Sequence, residues 1–208
     1  MIPTNMKTYE VAVEIAGPTA MWSRPDTGAT PTSYVAPTYS AVKGIFESIL
    51  RWQSVDIHPL RAEICSPVVF HRYVTNYGGP LRSTSSVKSD SSQQIFATVL
   101  INVRYRLVAQ ILERTRAPDG TFAPHAYQDA FARRLAAGAW FTTPSLGWKE
   151  FAPSYVGPPR TDLEPCVTEN HEIPSMLRTV FDALQTGKVK PQFAPNLKVT
   201  NGVLHYAQ

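Results

Sequence analysis

Residues 8–15 alternate apolar and polar side chains, with Tyr9, Val11, Val13 and Ile15 on one side. A period of two marks a strand with one buried face. Gly17-Pro18 is expected to end it, because proline removes a ladder donor. Residues 23–37, rich in Pro, Thr and Gly, predict a long loop. The period then becomes helical: Val42, Ile45, Phe46, Ile49 and Leu50 share one face, and Thr38 or Ser40 supplies the cap. Lys43, Glu47 and Arg51 lie on the other side at a spacing that permits paired charges. Gly44 inside this helix costs about 1 kcal/mol relative to alanine. Its presence predicts a close approach of a strand or a ligand to the backbone.

Residues 55–69 read as a second strand region interrupted at Pro59. Residues 73–94 are Gly- and Ser-rich and predict a long excursion. It is either a hairpin-like thumb or an insert without a role. Residues 95–112 alternate strongly, so Arg104 and Arg106 share one face of a strand. Pro118-Asp119-Gly120 is a turn. Residues 125–137 predict a helix with Tyr127, Ala130, Phe131, Arg134 and Leu135 near one stripe, ended by Gly138. Residues 140–155 are irregular, and 176–184 are ambiguous between strand and helix. Asn201-Gly202 predicts a tight hairpin. The order is that of an α+β, ferredoxin-like domain with a distorted second half.

Composition narrows the class. A chain of 208 residues, 43% hydrophobic and 17% charged, has enough apolar content for one sizeable core. The 18 prolines are spread along the chain and argue against a helical bundle. Residues 43–160 hold fourteen Lys or Arg against eight Asp or Glu, so the middle is basic between mildly acidic ends. That distribution suits a polyanion such as nucleic acid, and also a plain solvated surface. Cys65 and Cys166 lack metal-ligand spacing, as do the five histidines. No phosphate-binding or dinucleotide glycine pattern occurs. No metal and no cofactor are therefore expected. With no apparent signal peptide and no apolar run long enough to cross a bilayer, a reduced, cytoplasmic setting is the simplest expectation.

Four elements in order give the chain a more specific likeness. They are Ala20-Met21-Trp22-Ser23-Arg24-Pro25; the stretch from Ser33-Tyr34 through Lys43-Gly44-Ile45-Phe46-Glu47-Ser48-Ile49; Ala137-Gly138 followed by Pro144-Ser145-Leu146-Gly147-Trp148-Lys149-Glu150-Phe151; and Asn201-Gly202-Val203. Together they resemble the CRISPR-associated Cas-five family in its type I-C form. The resemblance implies a ferredoxin-like RAMP domain, RRM-like in plan, with a thumb insertion near 73–94 and a β-rich C-terminal part. It divides the chain into a core at 1–115 and a packed C-terminal portion at 116–208. It further implies an RNA-binding subunit of a surveillance complex, capping the 5′ handle of the CRISPR RNA in antiviral defence. The partners implied are the handle, the large and backbone subunits, and target DNA near the handle.

On that resemblance, phosphates and unstacked bases would meet Arg24, Lys43, Arg51, Tyr34, Tyr39 and Ser40 around the first helix. Arg72, Arg82 and Lys88 would serve from the thumb, and Arg104, Arg106, Arg133, Arg134 and Lys149 from the sheet and the second half. Type I-C relatives also commonly cut the precursor RNA without metal, using a Tyr after the first helix and a Lys-His pair at the start of the later one. Those positions fall here on Leu50 and Ala126-Tyr127. Leucine cannot transfer a proton, and alanine cannot stabilise charge. The alternative to a binding subunit is thus an endoribonuclease with a displaced site built on His125 and Tyr127.

Overall fold

The computed structural model describes residues 8–77, 93–115, 123–181 and 189–206. Four strands and two helices follow the ferredoxin-like order. They are β1 (Tyr9–Ala20), α1 (Tyr39–Ile49), β2 (Val55–Ile64), β4 (Gln93–Glu113), α2 (Ala123–Ala137) and β5 (Tyr155–Gly157), with β3 (Val69–Tyr77) between β2 and β4. The sheet runs β5-β1-β4-β2, every neighbour antiparallel. This is an α+β fold of the RAMP type. The sheet continues across residue 115, because α2 and β5 supply its last helix and its outer strand.

Alternation places Val11, Val13, Ile15, Tyr105, Leu107, Ile111, Val55 and Ile57 in the core beneath the two helices. Phe46 of α1 and Phe131 of α2 meet there with ring centroids 5.5 Å apart. Thr38 is the N-cap of α1, its hydroxyl accepting the Ala41 amide at 3.2 Å. At the end of α2, Gly138 takes φ +63 and the Ala139 amide donates to the Arg134 carbonyl at 2.9 Å, closing the helix as the glycine predicted.

Several boundaries differ from the sequence reading. β1 does not stop at Gly17-Pro18 but runs to Ala20. β5 covers only Glu14–Ala16, so Pro18 lies where β1 is paired on one side alone and a missing donor is tolerated. β2 passes through Pro59 by a register shift before Arg61, and Val69 belongs to the next strand. The excursion begins as ordered strand: residues 69–77 of β3 pair with 93–101 of β4. Its central residues, including Arg82 and Lys88, lie outside the described ones.

The C-terminal portion extends the sheet at the β2 edge through β8 (Val203–His205), β7 (Val189–Thr200) and β6 (His171–Phe181). The part of the ambiguous 176–184 segment that is described, 176–181, is strand. Asn201 and Gly202 turn from β7 into β8 with φ of 50 and 76, the left-handed pair a two-residue hairpin needs.

Candidate nucleic-acid interface

One face of α1 carries mostly small residues, with Ile45 beside them. Ala41, Gly44 and Ser48 look across an open groove of about 640 Å³ at Thr142, Thr143, Pro144, Ser145 and Gly147, with Lys149 on its border. A Cβ on Gly44 would meet nothing within 4 Å, so no strand crowds the glycine: it keeps the groove floor flat. The opposite wall is held by backbone. The Phe141 and Thr142 amides both donate to the Ser48 carbonyl at 2.9 Å, which also satisfies the end of α1. The Met21 amide donates to the Leu146 carbonyl at 2.9 Å, and the Trp148 indole donates to the Ser23 hydroxyl at 3.1 Å. Gly147 adopts φ +95, and a Cβ there would sit 1.8 Å from the Met21 oxygen. Only glycine fits that crossing.

The cations named from sequence divide into two groups. Lys149, Arg51 and Arg133 are exposed and form no ion pair among the described residues. The other described cations are engaged, Arg72 only with the Phe96 ring at 4.7 Å; Arg82 and Lys88 lie outside the described residues. Arg24 binds Asp26 at 2.7 Å, and its guanidinium lies 5.6 Å from the Tyr34 ring centroid. Lys43 does not pair with Glu47; it reaches Asp56, which also accepts from Arg114 at 3.0 Å and contacts His58 at 3.0 Å. Burial would raise the Asp56 carboxyl, but the Lys43 hydrogen bond and charge, with His58, hold it below its ordinary range. Arg134 donates to the Ile49 carbonyl at 3.0 Å and so caps α1.

Arg104 and Arg106 do share a face, and both are committed there to buried carboxylates. Arg104 binds Glu14, Arg106 binds Glu63, and both carboxylates are buried. Arg160 adds a second contact to Glu14 at 3.1 Å, Arg61 a second to Glu63 at 2.8 Å, and Arg106 donates to the Leu163 carbonyl at 2.9 Å. These two arginines neutralise charges buried beneath the segment around residue 163.

The tyrosines are likewise structural in position. Tyr34 is buried and donates to the Ser175 carbonyl at 3.1 Å. Tyr39 packs edge-on against Tyr206 and carries Arg178 on its ring at 4.8 Å. Ser40 is exposed beside Thr38.

Leu50 and Tyr127, the positions that the resemblance aligns with catalytic groups, do meet. The Tyr127 hydroxyl donates to the Leu50 carbonyl at 2.7 Å. Its ring is buried between Trp52 and Phe131, at centroid distances of 5.5 and 6.0 Å. Burial, with the charge of Glu47, pushes this phenol well above its ordinary range. His125 is not brought to it. Two residues apart on a helix are on different sides, and His125 is 57% exposed, edge-on to Tyr9 at 5.8 Å with Asp129 at 3.8 Å.

Sequence reasoning missed two features. Asp56 and His58 are two apart on a strand and so share a face, which was the available signal for the Lys43–Asp56–His58–Arg114 cluster. Phe70 and Phe96 are exposed on the β3–β4 hairpin, which only the pairing register reveals. Among the described residues no group of three or more His, Cys, Asp or Glu could hold a metal ion, and no helix is long and apolar enough to cross a membrane.

The profile of the CRISPR-associated protein family Cas_Cas5, in its Cas5d form, matches residues 10–194. A protein of Thermus thermophilus, the CRISPR pre-crRNA endoribonuclease Cas5d, is 32% identical over 152 residues, which are 71% of this chain and 63% of that protein. The match therefore spans less than two thirds of the relative's length. A crystal structure of a CRISPR-associated protein superposes with a TM-score of 0.72 at 16% identity, covering 98% of this chain and 95% of that one. A functionally uncharacterized protein from Streptococcus mutans gives a TM-score of 0.72 at 15% identity with the same coverage. At such identities these two structures speak to the fold alone.

Proposed function

The chain belongs to the Cas5d family of CRISPR-associated proteins, and from that premise we propose that it is an RNA-binding subunit of a CRISPR surveillance complex that holds the 5′ handle of the guide RNA without cutting it. The observation that carries this reading is the Tyr127–Leu50 hydrogen bond. The corner that would need a base, a cation and an acid is filled by a buried phenol satisfied by a backbone carbonyl. A group so buried and so engaged neither takes a proton from a 2′-hydroxyl nor stabilises a phosphorane.

Binding is supported elsewhere on the molecule. The groove between α1 and the 142–152 loop admits a backbone because its floor is Ala41, Gly44 and Ser48. Lys149 borders it as an uncommitted cation, and the threonine and serine hydroxyls of its wall suit phosphate and 2′-hydroxyl oxygens. The large and backbone subunits of such a complex are the partners of this reading, with target DNA close to the handle.

A second reading has one observation in its favour. The Thermus relative is a pre-crRNA endoribonuclease, and His125 stands exposed at the start of α2 with Asp129 beside it. Incubating the protein with its repeat RNA in EDTA and resolving the products on a denaturing gel separates the two. Stable binding with intact RNA is the expected result. A single cut within the repeat, abolished by His125→Ala, would overturn the binding-only reading in favour of the enzyme.

A further inference from the structure

Folded proteins seldom gather large apolar side chains on one exposed strand face without something to cover them. The root of the β3–β4 hairpin does so. Phe70 is 46% exposed, Val74 45% and Phe96 39%. The register puts Val74 directly opposite Phe96 and Arg72 opposite Thr98, while Phe70, opposite Leu100, lies four residues farther along the strand. Alternate residues face the same way, so Phe70, Arg72 and Val74 share a face with Phe96 and Thr98. The Arg72 guanidinium stacks 4.7 Å from the Phe96 ring centroid. The intervening residues Ala97 and Val99 point the other way and are buried.

An open cleft of about 350 Å³ lies over this face, walled by Phe70, Phe96, Arg72, His71 and the threonines Thr30 and Thr98. None of its lining residues is acidic. We infer that this face is a stacking platform for unpaired bases of the bound RNA, with Phe70 and Phe96 as the ring surfaces and Arg72 as the phosphate partner. The chemistry favours RNA over a protein segment. Aromatic faces take any base without regard to sequence, and a neighbouring cation with hydroxyls matches a polyanion carrying planar rings. An adjoining cleft that shares Phe70 carries Asp26 and Glu172 as well as Arg24, which is bound to Asp26, so the Arg72 side is the less acidic one for phosphates.

The inference rests on the RNA-binding reading, and its test separates the two. The probe is a single-stranded RNA of the repeat's 5′-handle sequence carrying 2-aminopurine, titrated with the full chain at several salt concentrations. The variants are Phe70→Leu with Phe96→Leu, which keep apolar bulk but remove the rings, and Arg72→Gln. Wild type is expected to quench the probe. The double variant should lose the quench and bind about tenfold to a hundredfold more weakly, with the salt slope unchanged. Arg72→Gln should lower that slope by about 0.7, the loss of one phosphate contact on a single strand. Crosslinking of 4-thiouridine RNA to the unaltered protein should map to peptides holding Phe70 or Phe96, a readout that does not depend on variant folding. Tight binding by wild type with unchanged affinity and quench in the double variant, or crosslinks confined to other segments, overturns the platform. Loss of assembly with partner subunits at unaltered RNA affinity overturns it too, since the occupant is then protein. Absence of RNA binding by wild type instead brings down the RNA reading itself.

Discussion

Replacing Tyr127 with phenylalanine isolates one oxygen atom. The ring stays between Trp52 and Phe131, and the only group removed is the hydroxyl that donates to the Leu50 carbonyl at 2.7 Å. The acceptor lies just past the C-terminus of α1, where Ser48 and Ile49 carbonyls are satisfied by the Phe141 and Thr142 amides and by Arg134. Leaving a buried acceptor without its partner costs about 1–3 kcal/mol. For a chain of this size each 1 kcal/mol lowers the melting temperature by about 2–4 °C. Tyr127→Phe should therefore melt about 2–12 °C below wild type, with the urea m-value unchanged. Because burial raises the phenol and Glu47 raises it further, the hydroxyl is protonated throughout the neutral range and acts only as a donor.

The same variant discriminates between structure and chemistry. Repeat-RNA affinity, and the gel pattern in EDTA, should match wild type at 25 °C. If melting is unchanged while RNA binding or cleavage falls, the phenol works on RNA and the structural account of this corner is wrong. Glycine-for-alanine exchanges elsewhere would not make this distinction, because they perturb backbone and function together.

Three further outcomes are expected. Gly147→Ala forces a Cβ to within 1.8 Å of the Met21 oxygen at φ +95, so it should cost at least about 3 kcal/mol in urea titrations, and a cost below 1 kcal/mol would contradict the described crossing. Asp56 is held below its ordinary range, so its contribution is present above about pH 4, the unfolded value, and is lost as pH falls through the folded one. Asp56→Asn should thus cost about 0.5–1.5 kcal/mol at pH 7 and progressively less as pH falls below about 4, and a pH-independent difference would show the ion pairs to be idle. Burial pushes the Cys65 thiol up to about 11, so iodoacetamide at pH 8 should label it on the order of a hundredfold more slowly than in the urea-denatured chain.

Local signals in the sequence marked elements whose causes are themselves local. The period-two run of β1, the Thr38 cap of α1, the Gly138 stop of α2 and the Asn201-Gly202 turn each depend on residues within a few positions, and each appears in the fold. What escaped depends on residues far apart. Arg104 finds Glu14 ninety positions away, a pairing no spacing rule announces. Lys43 was readable as a partner of Glu47, but a Lys preceding a Glu by four is the weaker orientation on a helix, and Asp56 near the start of β2 is the acceptor it reaches. The continuation of β1 through Pro18 follows from the shortness of β5, which is a property of the assembled sheet. The site shows the same division: the α1 half of the groove is one helix face, whereas its other wall is a loop a hundred residues later.

The ion pairs also constrain where RNA can lie. RRM domains, which share this strand order, read bases on the helix-free face of the sheet. Here that face places Glu14 and Glu63 at 0% and 4% exposure, each held by arginines. A phosphate taking Arg104 or Arg106 would leave Glu14 with Arg160 alone, or Glu63 with Arg61 alone, and so weaken the pairing of a buried carboxylate. The basic middle of the chain is accordingly two populations: arginines that neutralise the fold's own buried acids, and cations such as Lys149 and Arg72 that stand beside open clefts. Net charge alone counts them together, whereas the slope of affinity against salt counts only the second.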